Sequence, residues 1–240
     1  MDTTTTIQVG SLLLASWCAK RACTPPNPAP SENEKKGFTE RKRNDSMAIP
    51  IAWLAFMAQM FIHFNNFTEL LAVLAHNLHW QNVLVLFPIH VLADQRLTLY
   101  EPERLVGLAL MLAGTLIRID CYNRLQRNFT FQLAVRDDHK LVTDGPYAYV
   151  RHPSYLGALM VSLGALLLNY GRGSFWLEHG LSDRSLWVLV GVADVVLKWV
   201  FFSGAVTRCK LEDDVLKAHF QEQWMQWSKK TPYRMVPLVY

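Results

Sequence analysis

Three runs with almost no charge constrain this chain more than anything else in it. Met47 to Phe67 carries no Asp, Glu, Lys or Arg, Pro153 to Tyr170 carries none, and Ser185 to Val206 carries only Asp194 and Lys198. A bilayer core takes roughly 20 residues of helix, because only a helix satisfies every backbone N–H and C=O within one segment. Leu105 to Ile117 is shorter and reaches membrane length if the helix continues past Arg118 with that side chain snorkelling to the interface. Ile7 to Ala19 and Val83 to Ala93 are further short apolar stretches. Charged residues make up 18% of the chain, against about 25% in soluble domains. The expected fold is therefore all-α, a polytopic transmembrane helix bundle of about four to six spans.

Four segments follow. Residues 1–22 form a short apolar segment whose basic residues, Lys20 and Arg21, follow the apolar run, so a first membrane helix or hairpin arm is expected and not a cleaved signal. Residues 23–46, with Pro25, Pro26, Pro28 and Pro30 ahead of mixed charges, read as an exposed tether. Residues 47–131 hold membrane helices, and 132–240 hold every polar motif of interest. Cys18, Cys23, Cys121 and Cys209 show no Cys-x-x-Cys spacing, which points to neither a zinc site nor a disulfide framework. His76 and His79 stand three apart with no third ligand in sight, so no metal is expected. No nucleic-acid signature is present, and the net charge of +4 follows from topology instead.

Basic residues gather at 20–46, between Arg118 and Arg151, and from Arg208 to Arg234, whereas Gly171 to Arg184 has only two, offset by Glu178 and Asp183. The positive-inside tendency puts the central loop and the tail at the cytosolic face, with a hairpin between them. Gly107 and Gly114 stand seven apart, as do Gly157 and Gly164, the pattern of helices that pack closely through small residues. Asp194 and Lys198, four apart, read as a buried structural pair. From Leu211 to Trp227 apolar residues recur at 211, 215, 216, 220 and 224, which predicts an amphipathic helix lying on the membrane with Trp224 and Trp227 as anchors.

The chemistry-bearing stretch runs Gly145-Pro146-Tyr147-Ala148-Tyr149-Val150-Arg151-His152-Pro153-Ser154-Tyr155-Leu156-Gly157. Pro153 suits the first position of a helix and holds His152 extended, so Arg151 and His152 sit at a helix mouth where N–H groups and the dipole favour an anion. Read alone, an Arg with aromatics outside an apolar run is also an ordinary interfacial anchor. Downstream, Arg208 and Glu212 share one helical face four residues apart, a spacing that by itself fits a surface ion pair.

Taken together, Gln132, the run His139-Lys140-Leu141-Val142, Gly145 to Gly157, Arg208 with Glu212, Phe220, Trp224 and Val236-Pro237 resemble the isoprenylcysteine carboxyl methyltransferase family, in a fungal-type form. The resemblance implies a cytosol-facing active site in an integral membrane protein, most naturally of the endoplasmic reticulum, acting in the maturation of prenylated CaaX proteins. It implies S-adenosylmethionine as methyl donor and the carboxylate of a C-terminal prenylated cysteine as acceptor, with the lipid bilayer as the other partner. By the same resemblance Gln132, His139, Lys140, Leu141, Val142, Tyr147, His152, Pro153, Ser154, Tyr155 and Glu212 would line the cofactor pocket. Arg208 would clamp the acceptor carboxylate, and Arg208 with Glu212 would carry catalysis. Since a free α-carboxylate is ionised at neutral pH, no general base is required; His152 remains an alternative base, of more use to an amine acceptor. A lipid or small-amine methyltransferase sharing the Arg-His-Pro-x-Tyr element is the alternative, and an NADPH-dependent sterol reductase a more distant one. Many relatives carry two consecutive Glu where this chain has Glu212-Asp213.

Overall fold

A computed structural model describes residues 3–28, 48–77, 100–129, 140–180 and 186–239. Their helices are α1 (Thr3–Cys23), α2 (Ala48–Asn77), α3 (Pro102–Leu125), α4 (Pro153–Tyr170), α5 (Leu186–Phe220) and α6 (Glu222–Lys230). Short 3-10 turns cover Gln126–Asn128 and Gly145–Ala148, a π turn covers Trp176–Gly180, and the described residues contain no strand. Pro102–Asn128, Pro153–Tyr170 and Val188–Phe220 are long and apolar enough to cross a membrane. The chain is an all-α membrane protein, as its apolar runs require. Ala48 to Phe67 of the first apolar run lies on the 30-residue α2, while Val83 to Ala93 and most of the tether fall outside the described residues.

The chain folds into two compact units, one of Met1–Arg21, Met57–Ala113 and Met160–Lys198, the other of Ala22–Phe56, Gly114–Leu159 and Trp199–Tyr240. In the first, Gly107 and Gly164 let α3 and α4 meet backbone to backbone. A Cβ on Gly107 would lie 2.6 Å from the Gly164 carbonyl oxygen. Around this contact several charged and amide side chains are buried among apolar ones, while large apolar side chains face outward. Leu189, Val192, Val195 and Val196 of α5 are exposed, and Asp194 and Lys198 of the same helix are buried as an ion pair. Asp194 also accepts from the Tyr170 hydroxyl at 3.0 Å and the Asn65 amide at 3.2 Å. Glu69 and Arg104 form a second buried ion pair, and Arg104 donates onward to the Gly173 carbonyl at 2.8 Å. Lipid offers such groups no partners, so the fold satisfies them internally.

In the second unit Gly114 and Gly157 repeat the close approach, with a Cβ on Gly157 falling 2.6 Å from the Gly114 carbonyl oxygen. Arg118, expected to snorkel, instead turns inward and is buried. It donates to the Ala22 carbonyl at 2.6 Å, the Tyr122 hydroxyl at 2.9 Å, and the Ser154 carbonyl and hydroxyl at 2.9 and 3.0 Å. The small side chain at Gly157 makes this possible, because the Arg118 Cγ occupies the space a Cβ there would need.

The tail departs from the expected single helix over Leu211 to Trp227. Helix α5 continues to Phe220, the backbone turns at Gln221 with φ +45°, and α6 starts at Glu222. The turn carries Trp227 into the interior, where it packs with Cys121 and Tyr147 and donates its indole N–H to the Tyr147 carbonyl at 3.1 Å. Trp227 is thus a core residue and not a membrane anchor. An apolar period records which face is apolar, and it is silent on whether lipid or protein covers that face.

Candidate active site

All of the site lies within the second unit. Its first wall is the turn Gly145–Ala148, which opens at Gly145 with φ +58°. A side chain there would be strained by the backbone angle and would collide with the Arg124 guanidinium. The turn drops Tyr147 into a cluster with Cys121 and Trp227, against which Leu141, Val142 and Trp224 pack. Burial first, and then the neighbouring Cys121, raise the Tyr147 hydroxyl well above its ordinary pKa, so it is a neutral phenol at any working pH.

The next residues run straight into α4. Tyr155 and Leu156 donate their amides to the His152 carbonyl, so His152 caps the helix that Pro153 begins. The backbone N–H of Arg151 donates to the Tyr233 carbonyl at 2.9 Å and that of His152 to the Arg234 carbonyl at 2.7 Å. Arg151 also gives its guanidinium to the carbonyls of Thr231 and Pro232, each at 2.8 Å. Thr231 returns a hydroxyl bond to the Ala148 carbonyl. The segment 231–234 is therefore bound along the whole Arg-His-Pro turn.

Helix α5 supplies the facing wall. Glu212 accepts from the Tyr155 hydroxyl at 2.7 Å, from Arg208 Nε at 3.1 Å, and contacts His152 Nδ1 at 3.2 Å. Its neighbour Asp213 meets His152 Nε2 at 3.0 Å, Arg151 Nη2 at 3.0 Å and Arg234 Nε at 2.9 Å. Arg208 and Asp213 are both buried. Burial opposes charge on the His152 ring, but the bonds to Asp213 and Glu212 outweigh it and raise its pKa above the usual histidine value.

The structure brings together Tyr147, His152, Pro153, Tyr155, Arg208 and Glu212 as the sequence leads one to expect. Leu141 and Val142 reach the Tyr147 cluster, and Lys140 stands exposed just before them. Ser154 is buried with both its oxygens turned to Arg118. Gln132 and His139 lie outside the described residues. Three participants are absent from the sequence-based set: Asp213, Arg151 and Arg234. Arg151 and Asp213 each adjoin a recognised residue, and adjacency was the available signal; Arg234 carries none.

Chemically, the described residues set two carboxylates among guanidinium groups and an imidazole, beside an aromatic and aliphatic face. That combination suits a ligand with both an anionic group and a flat apolar part. Residues 106–174 match the model of the isoprenylcysteine carboxyl methyltransferase (ICMT) family. The match begins well before Gln132 and contains the Arg151–Tyr155 turn. The chain is 33% identical over 135 residues to the protein-S-isoprenylcysteine O-methyltransferase of Schizosaccharomyces pombe, covering 55% of this chain and 49% of that one. It is 30% identical over 128 residues to protein-S-isoprenylcysteine O-methyltransferase B of Arabidopsis thaliana, covering 52% and 55%. With the Dictyostelium discoideum enzyme of the same name identity is 43% over 68 residues. The chain spans about half the length of the curated relatives it matches. The family resemblance carried by the Arg-His-Pro turn is borne out: the stretch that forms one wall of this site is a match to the isoprenylcysteine carboxyl methyltransferase family.

Proposed function

We propose that this chain transfers a methyl group from S-adenosylmethionine to the C-terminal carboxylate of a prenylated cysteine, at a membrane face. The observation that carries the reading is the convergence on Glu212 of Arg208, Tyr155 and His152, from α5 and the α4 mouth. The residues fit the donor. Glu212 offers a carboxylate to hydroxyl or ammonium groups, while Tyr147, Leu141, Val142 and Trp224 offer an apolar edge to a purine. The Trp224 indole N–H is buried with no acceptor among the described residues. When bound, S-adenosylmethionine supplies an electrophilic methyl on a sulfonium.

The protein's own task is placement. The acceptor is ionised at neutral pH, its reference pKa being about 3.3–3.7, so no residue has to remove a proton. Arg208, oriented by its Nε bond to Glu212, is the proposed clamp for the acceptor carboxylate, the planar fork suiting two oxygens. Holding that oxygen in line with the methyl while excluding water is worth up to ~7–11 kcal/mol. His152, with a carboxylate at each ring nitrogen, is badly placed to serve as a base. The relatives' names support a carboxyl acceptor over a lipid amine or a sterol. The basic loop and tail support a cytosolic placement of the site, and an endoplasmic reticulum location would follow from the substrate class.

The test uses membranes carrying the full chain, labelled S-adenosylmethionine, and three acceptors: a prenylcysteine, a lipid amine and a sterol. Base-labile label in the prenylcysteine is the expected result. Label in the lipid amine alone would overturn the assignment.

A further inference from the structure

We propose that His152 is a standing imidazolium, a positioning cation that bridges Glu212 and Asp213 and fixes both carboxylates for ligand binding. The geometry is specific. Nδ1 lies 3.2 Å from Glu212 Oε2 and Nε2 lies 3.0 Å from Asp213 Oδ1. A neutral imidazole has one N–H and one lone pair. Placed between two carboxylate oxygens, it satisfies one and directs its lone pair at the other. Only the doubly protonated ring donates to both.

Neither carboxylate takes the proton instead, because each is already held ionised from other elements. Glu212 accepts from Arg208 one turn earlier on α5 and from the Tyr155 hydroxyl on α4. Asp213 accepts from Arg151, next to His152, and from Arg234 in the 231–234 segment. These three guanidiniums are the charges that oppose a proton on His152, and each bonds to a carboxylate and not to the ring. The ring is buried, its backbone N–H is tied to the Arg234 carbonyl, and the Tyr155 ring lies 6.0 Å away, so the imidazole sits enclosed between the two carboxylates.

Two consequences follow. A ring protonated at both nitrogens has no lone pair to accept another proton, so His152 is not the general base. A protonated His152 also adds a further cation to Arg151, Arg208 and Arg234 around Glu212 and Asp213, a setting that favours an incoming carboxylate. The second consequence rests on the methyl-transfer reading; the protonation state does not.

The protonation state is read by NMR on the full chain in nanodiscs, with all eight histidines carrying ¹⁵N. His152→Gln identifies the signal by difference, and Asp213→Asn supplies a second route if that variant misfolds. At pH 7.5 both His152 nitrogens are expected in the protonated range, and Asp213→Asn is expected to move the titration midpoint down. A single neutral tautomer at pH 7.5, or a midpoint unmoved by Asp213→Asn, overturns the proposal. Donor affinity measured against pH should fall as the ring loses its proton, a limb missing from His152→Gln. A flat wild-type profile overturns the positioning role. An inert enzyme with a doubly protonated His152 would refute the methyl-transfer reading alone.

Discussion

The two units solve the same problem, charge inside an apolar chain, in opposite ways. In the first, anion and cation match one to one, Asp194 with Lys198 and Glu69 with Arg104, and neutral groups such as Tyr170 and Asn65 complete the shell. In the second, two carboxylates share an imidazole and three guanidiniums. A balanced buried pair has no surplus to offer a ligand and is worth most as a lock on helix register. A shared cluster at a helix mouth, where backbone N–H groups favour an anion, can be completed by one. One region is built to be closed and the other to be completed.

Substitution should separate them. The largest effect is expected from Glu69→Ala, which takes from the interior the carboxylate that Arg104 bonds. The loss should be about 3–5 kcal/mol of stability, read as thermal inactivation in detergent. A variant as stable as wild type would dissolve the distinction drawn here. Arg208→Lys keeps the charge but not the fork. It should cost about 2–4 kcal/mol in kcat/KM on a prenylcysteine, by analogy with loss of one transition-state donor, with donor affinity near normal. A fully active Arg208→Lys would reduce Arg208 to a structural partner of Glu212. Glu212→Gln should weaken donor binding by about 1.5–3 kcal/mol, the range for a hydrogen bond to a charged group, while the inserted protein stays folded. Calorimetry showing unchanged affinity would remove Glu212 from the donor site.

Smaller still is the dependence on pH. His152 is raised in the folded chain, so its contribution to stability is fully present below the unfolded value of about 6.5. It is lost as pH rises through the raised folded value. Stability of wild type relative to His152→Gln should therefore decline on the alkaline side, and a difference growing with pH would contradict the sign. The least effect belongs to Asp144→Asn, which weakens an exposed pair with Arg124 and should leave thermal stability at the wild-type level.

Much of this was legible from residue order. The two glycine pairs announced the α3–α4 approach because nothing but a missing Cβ allows backbones so close. Pro153 announced the start of α4, and the four-residue spacing of Arg208 and Glu212 announced their contact, since both follow from local geometry. What stayed hidden depends on distant chain segments. Arg118 has the sequence position of an interfacial residue, and the Ala22 and Ser154 carbonyls, from distant segments, hold it inward. Asp213 merely follows Glu212 in the sequence, and its role depends on Arg151 and on Arg234. The break at Gln221 interrupts an apolar period that continues across it, because Tyr147 draws Trp227 inward.

The binding of residues 231–234 along the Arg-His-Pro turn also sets an order of events during synthesis. The partners of the Arg151 and His152 amides are carbonyls of Tyr233 and Arg234, translated long after α4 is complete. While the ribosome still holds those residues, Arg151 and Asp213 lack Arg234 and the Thr231 and Pro232 carbonyls. The membrane helices have to insert before the site closes. A nascent chain is thus unable to assemble this cluster until the 231–234 segment has emerged.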